Sequence, residues 1–125
     1  MFDHVNYILI VVSDMDRSIH FYQDVLGLKM KLHSDMWSEF DTGRTTLALH
    51  GGGQGSGEST VGSRKSQAGS CSIGFEVADL DQTARDLQSQ GIRFILPPTE
   101  RKDEGIKLAI CLDPDGLPVS LAETL

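Results

Sequence analysis

The sequence has little with which to make a metal or disulfide framework. It has only two cysteines, Cys71 and Cys111, with no CxxC and no Cys/His spacing of the zinc kind. Both sit in apolar runs, where each is expected to be a buried small hydrophobe. No apolar run approaches the length of a membrane span; the longest is Tyr7 to Val12. No basic stretch precedes that run, so it makes a poor signal peptide, and the expected location is cytoplasmic, where thiols stay reduced. Basic residues are the minority: 11 Lys and Arg stand against 18 Asp and Glu, a net charge of −7. Such a surface repels a phosphate backbone and an anionic bilayer, so neither nucleic acid nor membrane is an expected partner. What remains is ordinary globular material. The 125 residues, 39% hydrophobic and 23% charged, suit one domain with a real core.

Val5 to Val12 is a β-branched run that predicts a buried strand. Ser13 or Asp14 can cap a following helix, and Asp16 adds favourable charge in its first turn. Met15, Ile19, Phe21, Tyr22, Val25 and Leu26 recur at helical spacing up to Gly27, a suitable C-terminal stop. Strands are expected over 28–33, 36–41 and 45–50. The stretch 51–70 is rich in glycine and serine and predicts a linker. It suggests a phosphate loop only superficially, since Gly57 is followed by Glu58 where a lysine is needed.

After the linker the pattern restarts. A strand over 71–77 leads to a helix capped by Asp79, carrying Leu80, Ala84 and Leu87 and ending at Gly91. Strands follow over 92–96, broken by Pro97-Pro98, then over 106–112 and 117–122, with Asp113-Pro114-Asp115-Gly116 as the turn between the last two. Val12-Ser13-Asp14-Met15-Asp16 recurs as Val77-Ala78-Asp79-Leu80-Asp81, and Leu26 to Met30 recurs as Gln90 to Phe94. The chain thus reads as one α+β domain, 1–125, with a first βαβββ module over 1–50 and a second over 71–125. A unit of four strands and one helix covers only one face of its sheet. Two such modules with curved mixed sheets can enclose a cleft between their uncovered faces, a natural ligand site.

The stretches VVSDMDRSIHFYQDVLGLKM and LDPDGLPVSLAE resemble the first helix region and the final turn and strand of the vicinal oxygen chelate superfamily, which includes glyoxalase I, bleomycin-resistance proteins and extradiol dioxygenases. The resemblance covers nearly the whole chain outside the linker. It implies paired βαβββ modules, usually in a homodimer with ligand clefts between modules. It also implies four places from which His and Glu hold a divalent metal. Those places fall here at Tyr7, Ala48, Ser72 and Ser120. None is a histidine or carboxylate, whereas a catalytic metal needs about three N or O ligands from the protein. No metal or other cofactor is therefore expected.

Counting by two from the four places puts Tyr7, Leu9 and Val11 on one strand face, with Thr46, Ala48 and His50 on another. Ser72, Gly74 and Glu76 follow in the second module, then Pro118, Ser120 and Ala122. Trp37 and Phe40 lie on the strand expected to form a wall. The expected ligand-binding set is Tyr7, Trp37, Phe40, Ala48, His50, Ser72, Glu76 and Ser120. Small residues leave room, aromatic rings offer flat contacts, and Glu76 can meet a cationic group. The expected function is metal-free binding of a small molecule. The alternative is a metal-dependent lyase, isomerase or dioxygenase with displaced ligands such as His50 and Glu76. A third reading is an interaction module whose cleft is filled by its own side chains.

Overall fold

The computed structural model describes residues 2–54, 68 and 70–125. The chain divides into two compact units, Met1–Gly55 and Ser56–Leu125. The sequence-derived linker lies mostly outside the described residues. Its first residues belong to the first unit, where Gly51 N–H donates to Met36 O at 2.9 Å and Gly53 N–H to Val12 O at 3.0 Å.

The first unit has strand β1 (Tyr7–Val11), helix α1 (Met15–Ile19) continuing as a π-helical stretch (His20–Val25), then β2 (Lys29–His33), β3 (Trp37–Asp41) and β4 (Thr46–His50). The sheet order is β1-β4-β3-β2. β1 runs parallel to β4, and the other pairs are antiparallel. Asp14 supplies the helix cap, accepting from Arg17 N–H at 3.1 Å. The sequence predicts one uniform helix up to Gly27, and the structure corrects it. Leu26 N–H reaches back to Phe21 O at 2.9 Å, so the last turns are wound one residue wider. Adjacent Phe21 and Tyr22 are both buried there, their rings edge to face with centroids 4.9 Å apart. The chain leaves at Gly27 with a φ of 81°, which suits glycine. The helix-covered face of the sheet carries Ile10, Phe40, Leu47 and Leu49, all buried.

The second unit has β5 (Ile73–Glu76), helix α2 (Leu80–Ser89), β6 (Phe94–Arg101), a 3₁₀ turn (Lys102–Glu104), β7 (Ile106–Leu112) and β8 (Pro118–Thr124). Its order, β5-β8-β7-β6, and its one parallel pair, β5 with β8, repeat the first sheet. Each unit is therefore βαβββ with a mixed four-stranded sheet, in agreement with the internal repeat. Asp79 caps α2 by accepting from Gln82 N–H at 3.1 Å. Two side chains of the sheet tie the helix down: Glu123 accepts from Leu80 N–H at 2.7 Å, and Lys107 donates to Asp81 at 2.9 Å. Leu80, Ala84 and Leu87 form the buried helix face over Ala109, Cys111, Val119 and Leu121.

Two further expectations are corrected in this unit. The strand over 92–96 does not stop at Pro97-Pro98 but runs to Arg101. β6 is an edge strand, and its pairing with β7 slips between Leu96 and Thr99, so an irregular stretch takes the two residues that lack an N–H. Cys71 is exposed rather than buried, because ladder pairing begins only at Ile73. Cys111 is fully buried, and burial pushes its thiol up to about 11. At pH 8 a thiol of that pKa is roughly one-thousandth thiolate, the reactive form. Labelling of the native protein with a thiol-disulfide reagent at pH 8 should therefore modify Cys71 quickly and leave Cys111 untouched until denaturant is added. Peptide mapping checks the assignment; native labelling of Cys111 would contradict it.

Candidate functional site

Each sheet has one face under its helix and one face turned away. On the first sheet the register decides what the open face carries. Val11 is level with His50 and Trp37; Leu9 with Ala48 and Glu39; Tyr7 with Thr46 and Asp41. In β2 an irregularity between Met30 and Leu32 places Leu32 level with Glu39. The Lys31 ammonium also reaches this face, donating to Thr46 Oγ1 at 2.7 Å.

The edge of this face along β1 is apolar and open: Tyr7 is 54% exposed, Leu9 44% and Val11 57%. Toward β3 it becomes aromatic and polar. The Trp37 ring meets His50 edge to face, centroids 6.1 Å apart. Its indole N–H donates to Glu39 Oε2 at 2.7 Å. Glu39 Oε1 lies 4.0 Å from Lys31 Nζ. These contacts link β2, β3 and β4 through side chains, and they fix the ring of the single tryptophan in the chain.

The expected site residues are placed unevenly. Tyr7, Trp37, Ala48 and His50 share the open face of the first sheet. Ala48 is fully buried, with Leu9, Thr46, Glu39 and His50 around it, so a ligand on this face would meet its neighbours. Phe40 is corrected. It lies on the opposite face, fully buried, with its ring 6.2 Å from that of Tyr22 under the helix. Side chains three apart in a regular strand point to opposite sides, so Trp37 and Phe40 cannot line one surface. Glu76 and Ser120 lie on the open face of the second sheet, where Gly74 is level with Ser120 and Glu76 with Ala122. Ser72 is exposed just before β5. Sequence reasoning misses Glu39, although it is two residues from Trp37 and so faces the same way.

The four places at which the superfamily resemblance sets metal ligands offer a phenol, a methyl group and two hydroxyls. That donor set does not suit a divalent metal, which takes imidazole, carboxylate or thiolate. Among the described residues, no group of three or more His, Cys, Asp or Glu side chains is placed to hold a metal ion. His4, outside β1, is engaged by Asp3 at 2.7 Å and Arg44 at 2.9 Å. Among the described residues, no helix is long and apolar enough to cross a membrane.

The sequence pattern of the Glyoxalase/Bleomycin resistance protein/Dioxygenase superfamily matches residues 2–121, and the chain belongs to that superfamily. It is 32% identical to the uncharacterized protein YraH of Bacillus subtilis over 86% of this chain and 88% of that one. It is 28% identical to a probable lactoylglutathione lyase of Synechocystis over 93% of this chain and 92% of the other. The crystal structure of a glyoxalase/dioxygenase from Nostoc punctiforme is similar in fold, with a TM-score of 0.81 at 20% identity, covering 98% of this chain and 91% of that one.

Proposed function

We propose that this protein binds a flat, partly apolar small molecule on the open face of the first sheet, without a metal. The single observation that carries the reading is the immobilised Trp37, held by Glu39 and flanked by His50 beside the exposed Tyr7, Leu9 and Val11. A ring fixed before binding loses little freedom on stacking, and apolar neighbours supply area. The donor chemistry at Tyr7, Ala48, Ser72 and Ser120 supports independence from metal. Superfamily membership alone does not select the chemistry, since one scaffold hosts several. We also propose a cytoplasmic homodimer, as the superfamily resemblance implies a homodimer; light scattering in solution tests the dimer, and a monomer at all concentrations would contradict it.

A thermal-shift screen in the presence of a chelator tests the binding reading. Flat aromatic compounds should raise the midpoint, and flexible aliphatic compounds of equal size should not. Trp37→Ala should remove the shift while leaving the protein folded. Equal shifts in that variant would overturn the reading. The second reading is a lyase, favoured by the similarity to the Synechocystis protein named for that activity. It requires His50 to take part in proton transfer or in holding a displaced metal, so His50→Ala should then abolish turnover.

A further inference from the structure

Resting on the binding reading above, we propose that Glu39 selects the ligand's head group and takes a cationic hydrogen-bond donor, an ammonium or amidinium carried on the flat ring. The carboxylate stands in the middle of the open face, between Leu32 on one side and on the other Ala48, whose methyl group leaves room beside it. One oxygen, Oε2, is committed to the Trp37 indole N–H at 2.7 Å. That bond holds the carboxylate and the ring in a fixed relation. The other, Oε1, accepts no hydrogen bond among the described residues.

Its nearest cation is Lys31, at 4.0 Å beyond hydrogen-bond reach, with the ammonium drawn toward Thr46 Oγ1 at 2.7 Å. Glu39 is also only one-quarter exposed at its side chain. A partly desolvated carboxylate with an oxygen that accepts no hydrogen bond among the described residues favours a charged donor more than the same group in open water does. An anion is the less suitable guest. To reach Lys31 it would have to come beside the Glu39 carboxylate; Lys29 and Asp41, level with each other on the same face, offset one another in charge, so the selection rests on Glu39 Oε1 itself. A ligand that stacks on Trp37 and extends its donor along the indole N–H edge therefore meets Oε1.

The test uses the full chain and three probes with one ring and different heads: 2-naphthylmethylamine, 2-methylnaphthalene and 2-naphthoate, titrated by calorimetry. The amine should bind about tenfold or more tighter than the carboxylate. Glu39→Gln keeps an acceptor for the indole and removes the charge. It should leave the Trp37 emission spectrum of the free protein unchanged and reduce the preference for the amine to near parity. Glu39→Ala should shift that emission as well. Ring binding without head-group preference, or a preference that survives in Glu39→Gln, would overturn the assignment of Glu39 and leave the binding face standing. Failure of all three probes to bind would overturn both.

Discussion

Replacing Phe40 by alanine should lower the unfolding free energy by about 3–5 kcal/mol, the range for removing a large buried aromatic. Phe40 has no exposed surface, sits between β2 and β4 on the covered face, and packs toward the Tyr22 ring at 6.2 Å. Truncation leaves a void that the helix and sheet cannot close without moving. Since a small domain has only about 5–15 kcal/mol in total, Phe40→Ala can fall near the folding limit. Phe40→Leu, a smaller loss of volume, keeps the comparison measurable. Trp37 on the same strand should behave in the opposite way. Its ring is half-buried, so Trp37→Phe should cost little stability but weaken ligand binding. Urea unfolding and calorimetry on the two variants separate the roles. A stable Phe40→Leu protein with lost binding would return Phe40 to the ligand site.

Asp113→Ala should cost about 2–4 kcal/mol, an effect expected where a charged acceptor serves buried backbone donors. Asp113 is buried, at 5% exposure, where β7 turns into β8. Its Oδ1 accepts from Asp115 N–H at 2.9 Å and Leu117 N–H at 2.8 Å. Its own N–H donates to Leu117 O at 3.0 Å, and Gly116 N–H returns to Asp113 O at 2.9 Å. Alanine would leave the backbone donors without the oxygen they share. An asparagine side chain would keep one amide oxygen for them, so Asp113→Asn should recover roughly half of the loss. Thermal and urea midpoints for both variants test this. An unchanged midpoint in Asp113→Ala would show that the backbone alone holds the turn.

The same turn shows why the fold is legible. Asp-Pro-Asp-Gly has a local reason for each residue: Asp113 as acceptor, Pro114 with its fixed φ, and Gly116 at a φ of 84°. Asp14 and Asp79 are legible as caps for the same reason, and their recurrence exposes the repeat. Features that depend on the neighbouring strand are not legible. Nothing local to Pro97-Pro98 says that β6 is an edge strand able to absorb them. Nothing near Cys71 says that pairing with β8 begins at Ile73. The widened helical turn at His20–Val25 depends on burying two adjacent rings against the sheet, which a uniform helical period does not anticipate.

The site divides in the same manner. Period-two counting puts Tyr7, Ala48 and His50 on one face, because β1 and β4 are regular and in register. Phe40 escapes it because an aromatic side chain suggests a wall position that strand parity forbids. Glu39 escapes it because the carboxylate matters only through Trp37, and that bond requires the strand to be folded. Period two already puts Lys31 on the face of Lys29 and Asp41, but the irregularity in β2 that brings Leu32 level with Glu39 is not announced by the alternation over 28–33.

On the proposed reading, this chain works without the divalent metal that the superfamily's four ligand places hold. Plasma mass spectrometry of untagged, dialysed protein, before and after incubation with Ni, Zn, Mn or Fe, decides the matter. No stoichiometric metal is expected in either sample, because Tyr7, Ala48, Ser72 and Ser120 supply no suitable donor set. Near-stoichiometric metal, retained through dialysis and lost in His50→Ala, would refute metal independence and make the displaced-ligand enzyme the correct description.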